Sequence, residues 1–100
     1  MIKHIVFWNL KDVSANGDKD FNANSIKQKL ESLQGKIEGL IKIEVGIDFL
    51  HSPESMDLVL YSEFKDKAAL DFYQQHPLHK EIMPFIAEAR SERRVVDYEV

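Results

Sequence analysis

Residues 73–79, Tyr-Gln-Gln-His-Pro-Leu-His, hold the side chains of this chain that are best suited to chemistry. A histidine can remove a proton next to a carbonyl group, and a tyrosine hydroxyl can hold the resulting oxyanion. Tyr73 and His79 are six residues apart, and Pro77 breaks the helix between them, so both can reach one cavity mouth. The structural alternative is that His79 packs in the corner or lies exposed at a helix start, while Tyr73 is a core residue with its hydroxyl at the surface.

Two further histidines are candidates. His4 lies on an apolar face of the first predicted strand without an acidic neighbour in sequence, so it is either a catalytic residue or a buried core histidine. His76 precedes Pro77 and is suited to cap a helix. The His76 and His79 pair could touch one metal ion, but the break at Pro77 removes the fixed helical spacing of such sites. We therefore expect no metal and no cofactor.

Four segments have the composition of strands, and each must help to position these side chains. They are residues 2–10, 40–49, 57–64 and 94–100. The first and third carry apolar side chains on both faces, so we expect both faces to be covered. In the second, one face is predicted to be buried, and it comprises Ile41, Ile43, Val45, Ile47 and Phe49.

Helices are predicted between these strands. The first is capped by Asn24 or Ser25, and Ile26, Leu30, Leu33 and Ile37 form its apolar face. Gly35 and Gly39 mark its end and the turn that follows. A second helix spans residues 67–75 after an Asp66 cap, and a third begins at Pro77. Residues 11–25 are polar with a turn at Asn16-Gly17, which predicts a long connection or an irregular extension of the first helix. As a connection, the segment is either a lid over the pocket or a solvated loop.

The predicted order is β, α, β, β, broken α, β, which is typical of the α+β ferredoxin-like fold as one domain over residues 1–100. Its helices cover one face of a four-stranded antiparallel sheet. We expect the open face to meet a second copy, which gives a dimeric α/β barrel with a central cavity. Val6, Trp8 and Tyr61 are predicted to line an apolar pocket for a small hydrophobic or aromatic molecule.

Composition limits the possible partners. The chain has 100 residues, of which 44% are hydrophobic and 30% charged, with a formal net charge of −4 and no cysteine. This acidic balance argues against binding to nucleic acid or to an anionic membrane. The apolar run from Ile5 to Trp8 is too short for a membrane span or a signal-peptide core, so we expect a soluble, cytoplasmic protein.

Five segments together resemble the stress-responsive dimeric α/β barrel (Dabb) family, namely residues 1–8, 39–46, 57–64, 73–79 and 95–98. The resemblance implies a ferredoxin-like fold and a homodimer, and leaves the activity open. A plant polyketide cyclase of this family performs an aldol condensation with a Tyr and a His, which correspond to Tyr73 and His79, and His4 matches a histidine that lines its cavity. The cyclase has a further histidine where this chain has Leu58.

Two kinds of activity therefore remain open at this point. One is a binding protein without chemistry, and the other is a cofactor-independent lyase or cyclase that uses Tyr73 and His79. The related haem-degrading and quinone-forming monooxygenases share this barrel and are the rival enzymes. The haem-degrading type uses an Asn, a Trp and a His, but Trp8 and Asn9 are adjacent in a strand and should point to opposite faces unless a bulge intervenes. That difference disfavours a haem site.

Overall fold

The structure is a computed structural model that describes residues 1–100. Six strands and three helices follow one another along the chain. In order they are β1 (Ile2–Leu10), β2 (Val13–Ser14), β3 (Gly17–Asp18), α1 (Lys19–Glu31), β4 (Leu40–Ile47), β5 (Leu58–Phe64), α2 (Lys67–Gln75), α3 (Pro77–Ala89) and β6 (Arg90–Glu99). The four long strands form one antiparallel sheet in the order β4-β5-β1-β6. The predicted ferredoxin-like fold is thus confirmed.

The sheet has two faces of different character, because side chains alternate along each strand. On the helix-side face, β1 buries alternate residues against the helices: Ile2, His4, Val6, Trp8 and Leu10. The open face has no helix over it and carries a band of partly or well exposed apolar side chains: Ile5, Phe7, Val59, Tyr61, Val96 and Tyr98. Both faces of β1 are therefore apolar, as the sequence predicts, and the structure covers one of them.

Helix α1 begins and ends earlier than the sequence predicts. It begins after Asp18, whose side chain accepts a 2.9 Å hydrogen bond from the Phe21 amide. Residues 19–25 therefore extend the helix, which was one of the two predictions for this segment, and do not form a loop or a lid. The first turns bury Asn22 and Ala23, and these two residue types do not produce the helical spacing of large apolar residues from which a helix is predicted. The helix ends at Glu31, and Leu33 enters the core from tight turns that follow it.

Strand β4 differs from prediction because it contains a bulge. Leu40 pairs with Phe64 and Lys42 with Glu63, so Ile41 is an extra residue and is half exposed. The predicted buried face keeps Ile43 and Val45. Ile47 is well exposed, and Phe49 lies beyond the strand and is 89% exposed.

The outer edge of β4 is covered by polar side chains of α1 and of the turn that comes after it. Glu31 accepts a hydrogen bond from the Val45 amide at 3.0 Å, and Lys27 donates to the Val45 carbonyl at 2.6 Å. Gln34 donates to the Ile41 carbonyl and accepts from the Ile43 amide, each at 3.0 Å. These side chains satisfy backbone groups that a neighbouring strand would otherwise pair with.

The corner between α2 and α3 forms as predicted. Asp66 accepts a hydrogen bond from the Ala69 amide at 2.8 Å and caps α2. His76 caps α3, since its Nδ1 accepts from the Leu78 amide at 3.1 Å, and Pro77 occupies the first turn.

Strand β6 begins at Arg90, four residues before the predicted start. Its first part pairs with β1 through a bulge, in which Asn9 lies opposite Glu92 and Leu10 opposite Arg90, leaving Ser91 as the extra residue. A bulge is not visible in a period-two pattern, which explains the missed start.

Candidate functional site

A pocket of about 140 Å³ lies between the helix-side face of the sheet and helices α2 and α3. Strand β1 supplies His4, Val6 and Trp8 to its wall, and the helical corner supplies Tyr73 and His79. Apolar side chains from other elements complete the wall, including Leu30, Leu60, Met83 and Ile86. The pocket is formed within one protomer, on the side of the sheet that the helices cover.

Tyr73 and His79 are in direct contact at this pocket. Their ring centroids are 4.5 Å apart, because the turn at His76-Pro77 folds the end of α2 against the start of α3. Tyr73 is completely buried and also packs against Phe64 at 4.9 Å. The Tyr73 hydroxyl and His79 Nδ1 are both buried, and neither makes a hydrogen bond within the protein. Two unsatisfied polar atoms on one small pocket are unusual, since buried polar groups are nearly always paired.

The electrostatics keep both groups neutral near pH 7. Burial raises the pKa of the Tyr73 hydroxyl above its usual range, so the group remains a hydrogen-bond donor. Burial also lowers the pKa of His79, and the nearby His4 and Arg93 lower it further, while the Gln74 carbonyl partly opposes them. The position of His79 in the first turn of α3 acts in the same direction, because a helix N-terminus disfavours a positive charge. A neutral imidazole beside a neutral phenol is the protonation state that a base and a donor require.

His4 has an acidic partner that sequence reasoning missed. Its Nδ1 is hydrogen-bonded to the Asp97 carboxylate, which fixes the orientation of the buried ring. The two residues are directly opposite in the β1–β6 pairing, although 93 positions separate them in the chain. The His4 ring also lies edge-on to Tyr73 at 6.4 Å, so His4 belongs to the same cluster.

The structure brings five of the six predicted site residues together. His4, Val6, Trp8, Tyr73 and His79 line the pocket. Tyr61 lies on the open face, where its hydroxyl donates to Glu63 at 2.6 Å, so the structure does not bring it to this pocket.

Other lining residues and neighbours were not predicted. Arg90 and Arg93 reach the pocket wall from β6. Asn9 points away from Trp8 and bonds to Glu92 and the Asp57 amide, as expected for adjacent strand residues. No group of three or more His, Asp or Glu side chains is placed to hold a metal ion. None of the three helices has the length and apolar content needed to span a bilayer.

Comparison with known proteins places this chain in a family. The model of the stress responsive A/B barrel domain matches residues 2–100. A dimeric ferredoxin-like protein of unknown function from Bacteroides fragilis is 38% identical over 99% of this chain and 95% of its own, with a TM-score of 0.86. No functionally curated protein matches significantly.

Two more distant solved structures share the fold. A dimeric ferredoxin-like protein of unknown function from Thermobifida fusca is 21% identical, with a TM-score of 0.83 over 99% of this chain and 90% of its own. The hydroxynitrile lyase of Passiflora edulis is 17% identical, with a TM-score of 0.80 over 99% of this chain and 92% of its own. At these identities the likeness concerns the fold alone. The match over residues 2–100 shows that the chain belongs to the Dabb family of stress-responsive α/β barrel domains.

Proposed function

We propose that the pocket binds a small hydrophobic or aromatic molecule that carries a carbonyl group. The observation that carries this proposal is the pair of buried atoms without a protein partner, the Tyr73 hydroxyl and His79 Nδ1, on one pocket with apolar and polar lining residues. Leaving a buried polar group unpaired costs roughly 1–3 kcal/mol. A ligand that accepts a hydrogen bond from Tyr73 would remove part of that cost on binding.

The size of the pocket limits the ligand. A dry apolar cavity of roughly 150 Å³ is enough for benzene. The pocket here is of similar volume, about 140 Å³, so it suits one ring or a chain of comparable bulk. Trp8 and Met83 supply flat and adaptable apolar surface for such a ring.

The second candidate function, a cofactor-independent lyase or cyclase, is favoured by the contact between Tyr73 and His79. In this scheme the neutral His79 removes a proton from the carbon next to the ligand carbonyl, and the electron pair moves onto the carbonyl oxygen. Tyr73 donates a hydrogen bond to the resulting enolate oxygen. The enolate carbon then attacks a second carbonyl of the same molecule, and the new alkoxide takes its proton back from His79. The Passiflora edulis enzyme supports the idea that this fold can carry lyase chemistry.

The same proposal includes a homodimer formed through the open face. Its apolar band comprises Ile5, Phe7, Val59, Tyr61, Val96 and Tyr98, and helix packing leaves it uncovered. The similar proteins from Bacteroides fragilis and Thermobifida fusca are dimeric, which supports this assembly. Light scattering at micromolar concentration should give the mass of two chains, and the mass of one folded chain would contradict it. We propose the cytoplasm as the compartment, which the lack of cysteine favours.

Proton exchange separates binding from catalysis. Acetophenone in D₂O should lose its methyl proton signal faster with the protein than without it, as followed by NMR. His79→Ala should abolish the added exchange while the circular dichroism spectrum and the dimer mass stay unchanged. His51→Ala is the matched control, because that side chain is 75% exposed and outside the pocket. Saturable binding without exchange, and with only weaker affinity in His79→Ala, would establish a binding protein and reject the lyase scheme.

A further inference from the structure

The charge of the pocket wall differs in sign from that of the chain. The chain carries a formal net charge of −4, yet two arginines and two histidines line the pocket, namely Arg90, Arg93, His4 and His79. The remaining titratable side chain on the wall is the phenol of Tyr73. No carboxylate lines the pocket. The adjacent Asp97 is engaged by His4. Such a wall attracts an anion.

Both arginines lack a partner within the protomer. Neither guanidinium makes an ion pair, and neither has a side-chain hydrogen bond to protein. Arg94, the next residue along β6, instead pairs with Glu92 at 2.7 Å. The strand therefore provides a neutralised arginine beside two arginines that remain free for a ligand.

The β6 bulge is what places the two free arginines on one face. In a regular strand, residues three apart point to opposite faces. With Ser91 as the extra residue, Arg90 lies opposite Leu10 and Arg93 opposite Trp8, and both of these β1 residues face the helices. Bulges commonly redirect a side chain beside an active site. The basic pair in the pocket wall is thus a result of backbone geometry as well as of composition.

We infer that Arg90 and Arg93 bind the carboxylate of a compact ligand whose ring or short chain occupies the pocket. Guanidinium groups match carboxylates because two parallel N–H donors meet two oxygens. The volume of about 140 Å³ restricts the ligand to the size of a benzoate. The inference rests on the pocket of the proposed function and adds the class of its ligand, a small carboxylic acid in its ionised form.

The test compares charged and neutral ligands of one shape. Benzoate, 2-methylbenzoate and cyclohexanecarboxylate, each paired with its neutral amide, are titrated into the dimer at pH 7 and followed by NMR chemical shifts. At least one carboxylate should bind roughly tenfold tighter than its amide, as expected for a charge-assisted pair of hydrogen bonds. Its affinity should fall with added salt. Equal or no binding for every pair would overturn the inference.

Substitutions locate the contact and separate the two proposals. Arg90→Gln and Arg93→Gln should each weaken the best carboxylate roughly tenfold. Arg94→Gln should leave it unchanged, because that side chain is already paired. Unchanged affinity for the carboxylate in both pocket variants would overturn the inference. It would also be overturned if these variants kept their affinity and instead lost the mass of the dimer. Exchange of acetophenone protons without a carboxylate preference would reject the carboxylate site alone, and arginine-dependent carboxylate binding without exchange would reject the lyase scheme alone.

Discussion

Replacing Tyr73 by phenylalanine should make the free protein more stable while weakening its function. The substitution deletes one oxygen atom, which is fully buried and has no protein partner. An unsatisfied buried hydroxyl costs roughly 1–3 kcal/mol, and the ring contacts with His79 and Phe64 are kept. The small void left behind opens on the pocket, so little packing is lost. We expect a net gain of about 1 kcal/mol in the free energy of unfolding.

The gain should be measurable by thermal unfolding. For a chain of this size, about 1 kcal/mol corresponds to a rise of roughly 4–8 °C in Tm, followed by circular dichroism at one fixed chain concentration. Tyr61→Phe is the matched control. Its hydroxyl donates to Glu63 at 2.6 Å on the open face, so we expect a loss of about 0–1 kcal/mol there while light scattering shows the same mass as for the unmodified protein.

Opposite outcomes have different meanings. If Tyr73→Phe lowers Tm by more than the control does, the hydroxyl has a stabilising partner and its role as a free donor for a ligand is refuted. If Tm rises and carbonyl exchange by the protein also falls, the hydroxyl is maintained at a cost in stability for the sake of function.

Three more predictions follow from particular residues. Burial lowers the pKa of His79, so the stability it contributes is complete above about pH 6.5 and is lost as the pH falls through the lower folded pKa; His79→Gln should flatten this slope in urea unfolding curves. Gly39→Ala should lower the free energy of unfolding by roughly 2–3 kcal/mol, because φ is +86° and the new Cβ would lie 2.6 Å from that of Ala69. Gly35→Ala should lower it by about 1 kcal/mol, because φ is +80° there but no atom lies near the new Cβ. Equal losses in urea unfolding would contradict the steric argument. Glu31→Gln should cost about 1 kcal/mol at pH 7, since its lysine and backbone partners lower the pKa of that carboxyl, and the difference should vanish as the pH falls below about 4.5; a constant difference would contradict it.

Local patterns predicted most of the fold and the helical corner of the site. The contact between Tyr73 and His79 could be foreseen because Pro77 and the His76 cap are readable in sequence. The strand order also followed from element types. Asp97 could have been assigned to His4 by pairing the first and last strands of the ferredoxin-like sheet, a step that needs the register of the pairing.

Backbone irregularities account for what could not be predicted. The bulges at Ile41 and Ser91 shift side chains between the two faces of the sheet. Neither isoleucine nor serine is a residue type from which a bulge can be predicted. The sequence also does not show which face of the sheet carries Tyr61 away from the helices, because both faces of the central strands are apolar. The early start of α1 was readable from Asp18 as a cap, but the polar residues after it concealed the helix.

The polar cover on β4 has a consequence for how the chain meets other chains. Lys27, Glu31 and Gln34 act as a substitute for a fifth strand, so no extended peptide can join the sheet on that side without first displacing α1. Growth of the sheet by strand addition is left with the β6 edge alone. Protection against amyloid-like stacking therefore depends on three polar side chains of α1 and the turn after it, at positions where other polar residues would otherwise be equally acceptable.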